Sequence, residues 1–353
     1  MYQRQTRYTT SRTGEQMGTN FKSKVEKLVP NLFSKTRYVV HYRNLKYYVA
    51  KGLIVTKIHR ILSFKQSAWL AKYIDFNTNK RALASSQFEK DFFKLANNAF
   101  YGKTMEDVRR RINLKLVRTE KEAKFYTAQP TFDSFKIVNE DVTTILMKKT
   151  SIYWDKPTYL GFCILDLSKL HMYEFHYDYM MQRYGHEHAR LLFTDTDSLT
   201  YAITTEDVYT DMKKDERLFD TSDYPKDHLN RSTVNAKVVG KFKDECNGER
   251  PLEFVGLRSK MYSLQVNRKK TKATLKGVKT GYVKKFVTHD HYRDCLFKRL
   301  KTFANFSTIR SVNHQLRTDH VTKVALNSYD DKRYLLDDGI STLAFGHCKI
   351  ENN

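Results

Sequence analysis

One stretch limits what this chain can build more than any other. From Leu191 to Tyr201 it reads Leu-Leu-Phe-Thr-Asp-Thr-Asp-Ser-Leu-Thr-Tyr, and the apolar character continues to Ile203. Two short β-forming runs flank a polar centre, the pattern of a β-hairpin with Asp and Thr in its turn. The tip of such a hairpin presents the carboxylates of Asp195 and Asp197. Hard divalent ions such as Mg²⁺ prefer carboxylate oxygens together with substrate phosphates. Two ions held about 4 Å apart can drive an in-line phosphoryl displacement. An acidic, solvated turn with no chemistry is the plain alternative.

The charge balance favours a polyanionic partner. Lys and Arg number 63 against 39 Asp and Glu, a formal charge of +24. Such a chain is built to meet nucleic acid or an anionic surface. No apolar run approaches the roughly 20 residues of a membrane span, so no membrane partner is expected. The basic residues are interleaved with 23 Tyr and 22 Phe, which points to a folded body with a basic groove. Cys163, Cys246, Cys295 and Cys348 are far apart, so neither a zinc site nor a disulfide framework is expected. A reducing, intracellular setting follows, nuclear or cytoplasmic.

Along the chain, residues 1–24 are polar and aperiodic. Val39, Tyr42, Leu45, Tyr48 and Val49 share one side of a helix that Gly52 stops. Leu53–Phe64 reads as a strand, and Ser67 opens another helix that leads to Lys80 and Arg81. A further helix carries Lys94-Leu-Ala-Asn-Asn98-Ala-Phe-Tyr101-Gly102-Lys103. Lys94, Asn98 and Tyr101 fall at i, i+4 and i+7, on one face. A cation, an amide and a phenol in that order can hold a triphosphate, a sugar and a base. The structural alternative is an amphipathic helix with Phe92, Leu95 and Phe100 inward, ending at Gly102.

Arg109–Lys124 reads as a charged connector, and strands are expected at Val142–Met147 and Ile152–Trp154. Gly161–Tyr184 is a long helix ended by Gly185, and it feeds the acidic hairpin. Asp166 lies inside that helix pattern and reads as structural. Residues 205–235 are acidic and read as a solvated insertion. Phe254–Leu264 contains Lys260 and Tyr262, which share a face if the segment is a strand. Lys276-Gly-Val-Lys-Thr-Gly281 is a basic loop able to track a backbone, and the remainder from Tyr282 reads as mixed helical and basic.

Lys-x3-Asn-Ala-x-Tyr-Gly from Lys94 to Gly102, followed by Asp-Thr-Asp-Ser at Asp195–Ser198, resembles the family B DNA polymerases. The likeness is greatest to their protein-primed branch of phages, linear plasmids and virus-like mobile elements. Ala99 stands where Ser is usual. Lys260-Met-Tyr262 resembles the family's Lys-x-Tyr motif between palm and thumb. The resemblance implies an α+β right-hand fold lacking the N-terminal exonuclease domain. It places a flexible or truncated start at 1–24, a palm segment at 25–65 and fingers helices at 66–104. The palm with its hairpin follows at 105–245, and the thumb and C-terminal region at 246–353.

The implied reaction is attack of a primer 3′-hydroxyl on the α-phosphate of a dNTP. Asp195 and Asp197 would be catalytic metal ligands for two Mg²⁺. Lys80, Lys94, Asn98, Tyr101 and Gly102 would bind the nucleotide. Lys260, Tyr262 and Lys276 would hold primer and DNA, and the thumb would grip duplex phosphates. Partners would be primer–template DNA, dNTP and, in this branch, a terminal protein primer. The family's upstream metal motif, Asp-x-x-Ser-Leu-Tyr, does not occur before Lys94. One metal carboxylate is therefore expected to be missing, and the chain alone is expected to bind primed DNA but extend it poorly. A non-catalytic DNA-binding remnant of a polymerase gene is the alternative. A reverse transcriptase fits less well, because its hairpin usually carries adjacent Asp-Asp.

Overall fold

The computed structural model describes residues 29–266, 271–312 and 315–350. The start expected at 1–24, and the first residues of the palm segment expected at 25–65, lie outside the described residues. The chain divides into two compact units. Unit 1 is Met1–Val39, His171–Thr308 and Thr318–Asn353; unit 2 is Val40–Leu170 and Ile309–Arg317. The boundaries anticipated at 65, 104 and 245 do not coincide with this division. Residues 105–170 fall in one unit with the helices expected as fingers, and the segments either side of 245 fall in one unit.

Unit 2 begins with helix α1 (Tyr42–Ala50), ended by Gly52 at a φ of 93°. Its N-cap His41 donates its backbone N–H to the Asp166 carboxylate at 2.9 Å, and Asn44 donates to the Asp166 carbonyl at 2.8 Å. Asp166 is thus a buried anchor for the start of α1. Residues 53–64, expected as a strand, form no ladder, and Ile54, Ile58, Ile61 and Leu62 are exposed. Alternation alone does not make a strand. A β-segment needs a partner for its backbone groups, and none of the described residues supplies one.

Helices α2 (Ala71–Leu83) and α3 (Gln87–Thr104) pack as an antiparallel pair joined by a short turn. Ser86 and Glu89 form a capping box that fixes the start of α3. Contact runs through Phe100 against Trp69 and Tyr73, and through Asn97 bonded to Asn77. Phe92 and Leu95 remain exposed, so the inward stripe expected of them is absent. The seam with α2 instead runs along Ala96, Asn97 and Phe100.

The supposed connector at 109–124 holds regular structure. Strand β1 (Asn113–Val117) and helix α4 (Glu120–Thr127) join β2 (Phe132–Ile137) and β3 (Thr143–Met147) in an antiparallel sheet of order β1-β3-β2. Its core is Val117, Ile145 and Met147 against Ala123, Tyr126 and Phe132. Residues 152–154 are not a strand.

Helix α5 (Thr158–Glu174) passes into a π-helical turn (Phe175–Met180) and then α6 (Met181–His188), where Gly185 breaks the helix at φ 70°. In unit 1 this leads to the hairpin β4 (Ala189–Thr194) and β5 (Leu199–Ile203). The acidic segment after it is not a solvated insertion. Helix α7 (Val208–Lys214) is tied to α6 by Arg183, which bonds Asp211 at 2.8 Å and Asp215 at 2.5 Å. Asp220, Thr221, Tyr224 and Asn230 are buried. Short strands β6 (Phe219–Asp220) and β7 (Phe242–Lys243) pair in parallel.

A second antiparallel sheet, β8 (Glu253–Arg258), β9 (Met261–Gln265) and β10 (Thr271–Leu275), carries the main core. Val255, Leu257, Met261 and Leu275 pack there against α8 (Thr280–Phe286) and α9 (His289–Phe297), with Tyr292 fully buried. The region from Tyr282, expected to be mixed helical and basic, holds these helices and then two long paired strands, β11 (Thr302–Val312) and β12 (Gln315–Leu326). Strands β13 (Tyr334–Leu335) and β14 (Thr342–Leu343) follow, and Phe345 pairs with Asn31.

Candidate active site

The turn of the β4–β5 hairpin is tight. Asp195 and Ser198 exchange backbone hydrogen bonds at 3.0 and 3.2 Å, and Asp197 N–H also reaches the Asp195 carbonyl at 2.6 Å. Thr196 at its centre has a φ of 58°. A β-branched residue with positive φ is a backbone outlier, and such outliers gather at functional sites. A β-bulge between Leu191 and Phe193 re-aims the end of β4, as bulges beside active sites do.

Lys260 bonds the Asp195 carboxylate through its ammonium. It does not lie on a strand, as expected, but in the β8–β9 turn, with a φ of 61°. Its carbonyl accepts the N–H of Lys276 at 3.1 Å, which seats that sequence-picked lysine next to it. Two residues along each chain the contact turns aromatic. Tyr262 lies 4.4 Å from Phe193 between ring centroids, and Phe254 closes the cluster at 5.8 Å from Tyr262. Gly256 makes room, since a Cβ there would come 2.8 Å from the Phe254 ring. The Asp-Thr-Asp and Lys-x-Tyr motifs therefore meet, polar at the tip and apolar behind it.

Behind the hairpin, Tyr201 on β5 and His176 in the π-helical turn bond at 2.9 Å and stack. Burial, and then the neighbouring His186, push the His176 pKa down, which favours a neutral ring able to accept the Tyr201 hydroxyl. Burial raises the Tyr201 hydroxyl well above its ordinary value, so it stays a donor. π-helical turns are rare and recur at functional sites. Phe193, Phe254 and His176 escaped the sequence reading. The usable signal was Phe193 two residues before Asp195, mirrored by Tyr262 two residues after Lys260.

Asp197 is exposed, and its carboxylate has no partner among the described residues. No group of three His, Cys, Asp or Glu able to hold a metal occurs among the described residues. Two carboxylates on one turn suit a hard cation that draws its other ligands from water and phosphate, the ordinary habit of Mg²⁺. Asp195 would have to exchange Lys260 for the ion.

In unit 2, Lys94 and Asn98 lie on the exposed face of α3 with side chains unpartnered among the described residues; Tyr101 beside them is half-buried, its hydroxyl likewise unpartnered. Gly102 is inside the helix rather than at its end, and a Cβ there would meet nothing within 4 Å. Packing does not explain a glycine that costs about 1 kcal/mol of helix propensity. Lys80 is on α2, one turn beyond the Asn77 that bonds Asn97, with its ammonium over Phe76 at 5.7 Å.

No family model, curated protein or solved structure matches the chain. No helix among the described residues is long and apolar enough to cross a membrane.

Proposed function

We propose that this chain is the fingers, palm and thumb portion of a family B DNA polymerase, of the protein-primed kind, and serves template-directed nucleotidyl transfer. The observation that carries the reading is the junction of the hairpin with the Lys-x-Tyr segment: Lys260 on Asp195, and Tyr262 on Phe193. Two motifs picked for one reaction, 65 residues apart, share one site. Strain at both Thr196 and Lys260 supports a working rather than a decorative turn.

In the reaction, the primer O3′ bonds to the α-phosphorus of the dNTP, the bond from that phosphorus to the β-phosphate bridge breaks, and pyrophosphate leaves. Mg²⁺, when bound at Asp195 and Asp197, would stabilise the charge on the transferring phosphoryl group. Lys94 neutralises the triphosphate, and Tyr101 packs on the sugar. Gly102 leaves the helix surface open for close approach. Lys260, released from Asp195, meets a primer phosphate while Tyr262 supports the terminal sugar, and Lys276 adds a backbone contact.

Two carboxylates hold Mg²⁺ weakly, so the chain alone binds primed DNA and extends it slowly. The test is anisotropy of labelled DNA together with single-nucleotide extension in Mg²⁺. Tighter binding to a 3′-recessed end than to a blunt duplex, with slow Asp197-dependent extension, supports the reading. Equal binding to both ends with no incorporation would contradict it. A second reading, a non-catalytic DNA-binding remnant, is favoured by Lys260 already occupying the Asp195 carboxylate. That reading requires primed-end binding that is indifferent to Mg²⁺ and to Asp197→Asn.

A further inference from the structure

The three-stranded module of unit 2 holds a cavity that the polymerase reading does not use. Its volume is about 460 Å³, within the range of ligand sites. Three lysines line it: Lys115 from β1, and Lys148 and Lys149 from the segment after β3. No carboxylate lines it, and none of the three ammonium groups has an acidic partner among the described residues. By contrast, some other cations of unit 2 sit on carboxylates. Arg111 grips Glu106 at 2.8 Å, and Lys124 bonds Glu120 at 2.7 Å. Convergence without counter-charge is costly for an empty protein and favourable toward an anion.

The wall is aromatic as well as basic. Tyr126 of α4 is half-buried, with the Lys115 ammonium 5.8 Å from its ring centroid. Thr150 and Ser151 add hydroxyls at the exposed rim. Beneath, Val117, Ile145 and Met147 make a rigid floor, and Lys148 N–H is tied to the Thr131 carbonyl at 2.6 Å. Cations beside an aromatic face, with hydroxyls that prefer no base, are the recipe for sequence-tolerant binding of an unpaired strand. We propose that this cavity takes one unpaired nucleotide of a single-stranded nucleic acid, its flanking phosphates on the three lysines and its base against Tyr126. None of the residues lining it is assigned to nucleotidyl transfer, so the proposal stands or falls without that reading.

The full chain is titrated into a fluorescein-labelled 12-nucleotide dT strand, and its rU counterpart, between 50 and 200 mM salt. No primer, dNTP or divalent metal is present, so failure of the polymerase reading leaves the result intact. Each phosphate contact to a single strand contributes about 0.7 to the slope of log affinity on log salt. The triple variant Lys115→Gln, Lys148→Gln, Lys149→Gln releases the two phosphates that flank the bound nucleotide and should lose about 1.4 from that slope. Over the fourfold salt range the wild type then loses roughly 7-fold more affinity than the variant. The triple Arg variant should keep the wild-type slope, and a 5-iodouracil strand should crosslink to Tyr126. An unchanged slope in the Gln variant, with circular dichroism showing it folded, overturns the proposal. So does inorganic phosphate or dTMP competing as well as the strand at equal phosphate, which would mark a site for free anions.

Discussion

The junction between the two motifs can be measured as a coupling. Asp195→Asn, Lys260→Met and the double variant form a cycle, and Phe193→Leu, Tyr262→Leu and their double form another. The Asp195 and Lys260 side chains are 32% and 43% exposed, so their pair belongs with surface ion pairs rather than buried ones. Its coupling should be about 0.2–1 kcal/mol near 0.1 M salt. It should fall sharply at 1 M, where the screening length shrinks from about 10 to about 3 Å. The ring pair, at 4.4 Å, should contribute about 0.5–1.5 kcal/mol and ignore salt. Urea unfolding followed by circular dichroism reads both cycles. In millimolar Mg²⁺ the ion-pair coupling should vanish, because the metal replaces Lys260 on Asp195, while the ring coupling persists. An ion-pair coupling that survives Mg²⁺ unchanged, or no ring coupling at any salt, would refute the reasoning.

Other consequences follow from the same geometry. Gly102→Ala should stabilise α3 by about 1 kcal/mol, since a Cβ there meets nothing, and should weaken binding of a template-matched dNTP in an anisotropy titration. Ser86→Ala removes the capping box and should cost unit 2 about 1 kcal/mol in urea unfolding, with no effect on Mg²⁺ binding. For Asp211, burial alone would raise the carboxyl, but bonds from Arg183, Thr205 and Tyr184 outweigh it and hold the pKa below the ordinary value. A lowered folded pKa means stability that is present above the unfolded value of about 4 and lost as pH falls further. Arg183→Gln should therefore destabilise the protein at neutral pH, and its deficit should shrink as pH falls below about 4 in a thermal-melt series.

The hairpin and α3 were readable because each carries its own period and its own punctuation. Thr-Asp-Thr-Asp-Ser marks a turn between two β-forming runs, and Lys94, Asn98 and Tyr101 recur at helical spacing. Readings failed where a long-range partner decided the outcome. Leu53–Phe64 has strand composition but finds no strand to pair with. The carboxylates of 205–235 looked solvated because their count ignores Arg183, which lies 28 residues before Asp211. Lys260 was placed on a strand because nothing in Arg258-Ser-Lys-Met announces a left-handed turn without glycine; the ladder between β8 and β9 imposes it. Tyr262 and Phe193 were each visible, but their contact depends on a bulge in β4 that leaves no mark in the residue types.

The most direct test is whether a nucleotide that matches the template tightens the hold on primed DNA. A primer with a dideoxy terminus is titrated with the full chain in Mg²⁺, with each of the four dNTPs in turn. The account expects the matching dNTP alone to raise affinity, and expects Lys94→Ala and Asp197→Asn each to abolish that gain. Equal effects of all four dNTPs, or a gain that survives both substitutions, would contradict it.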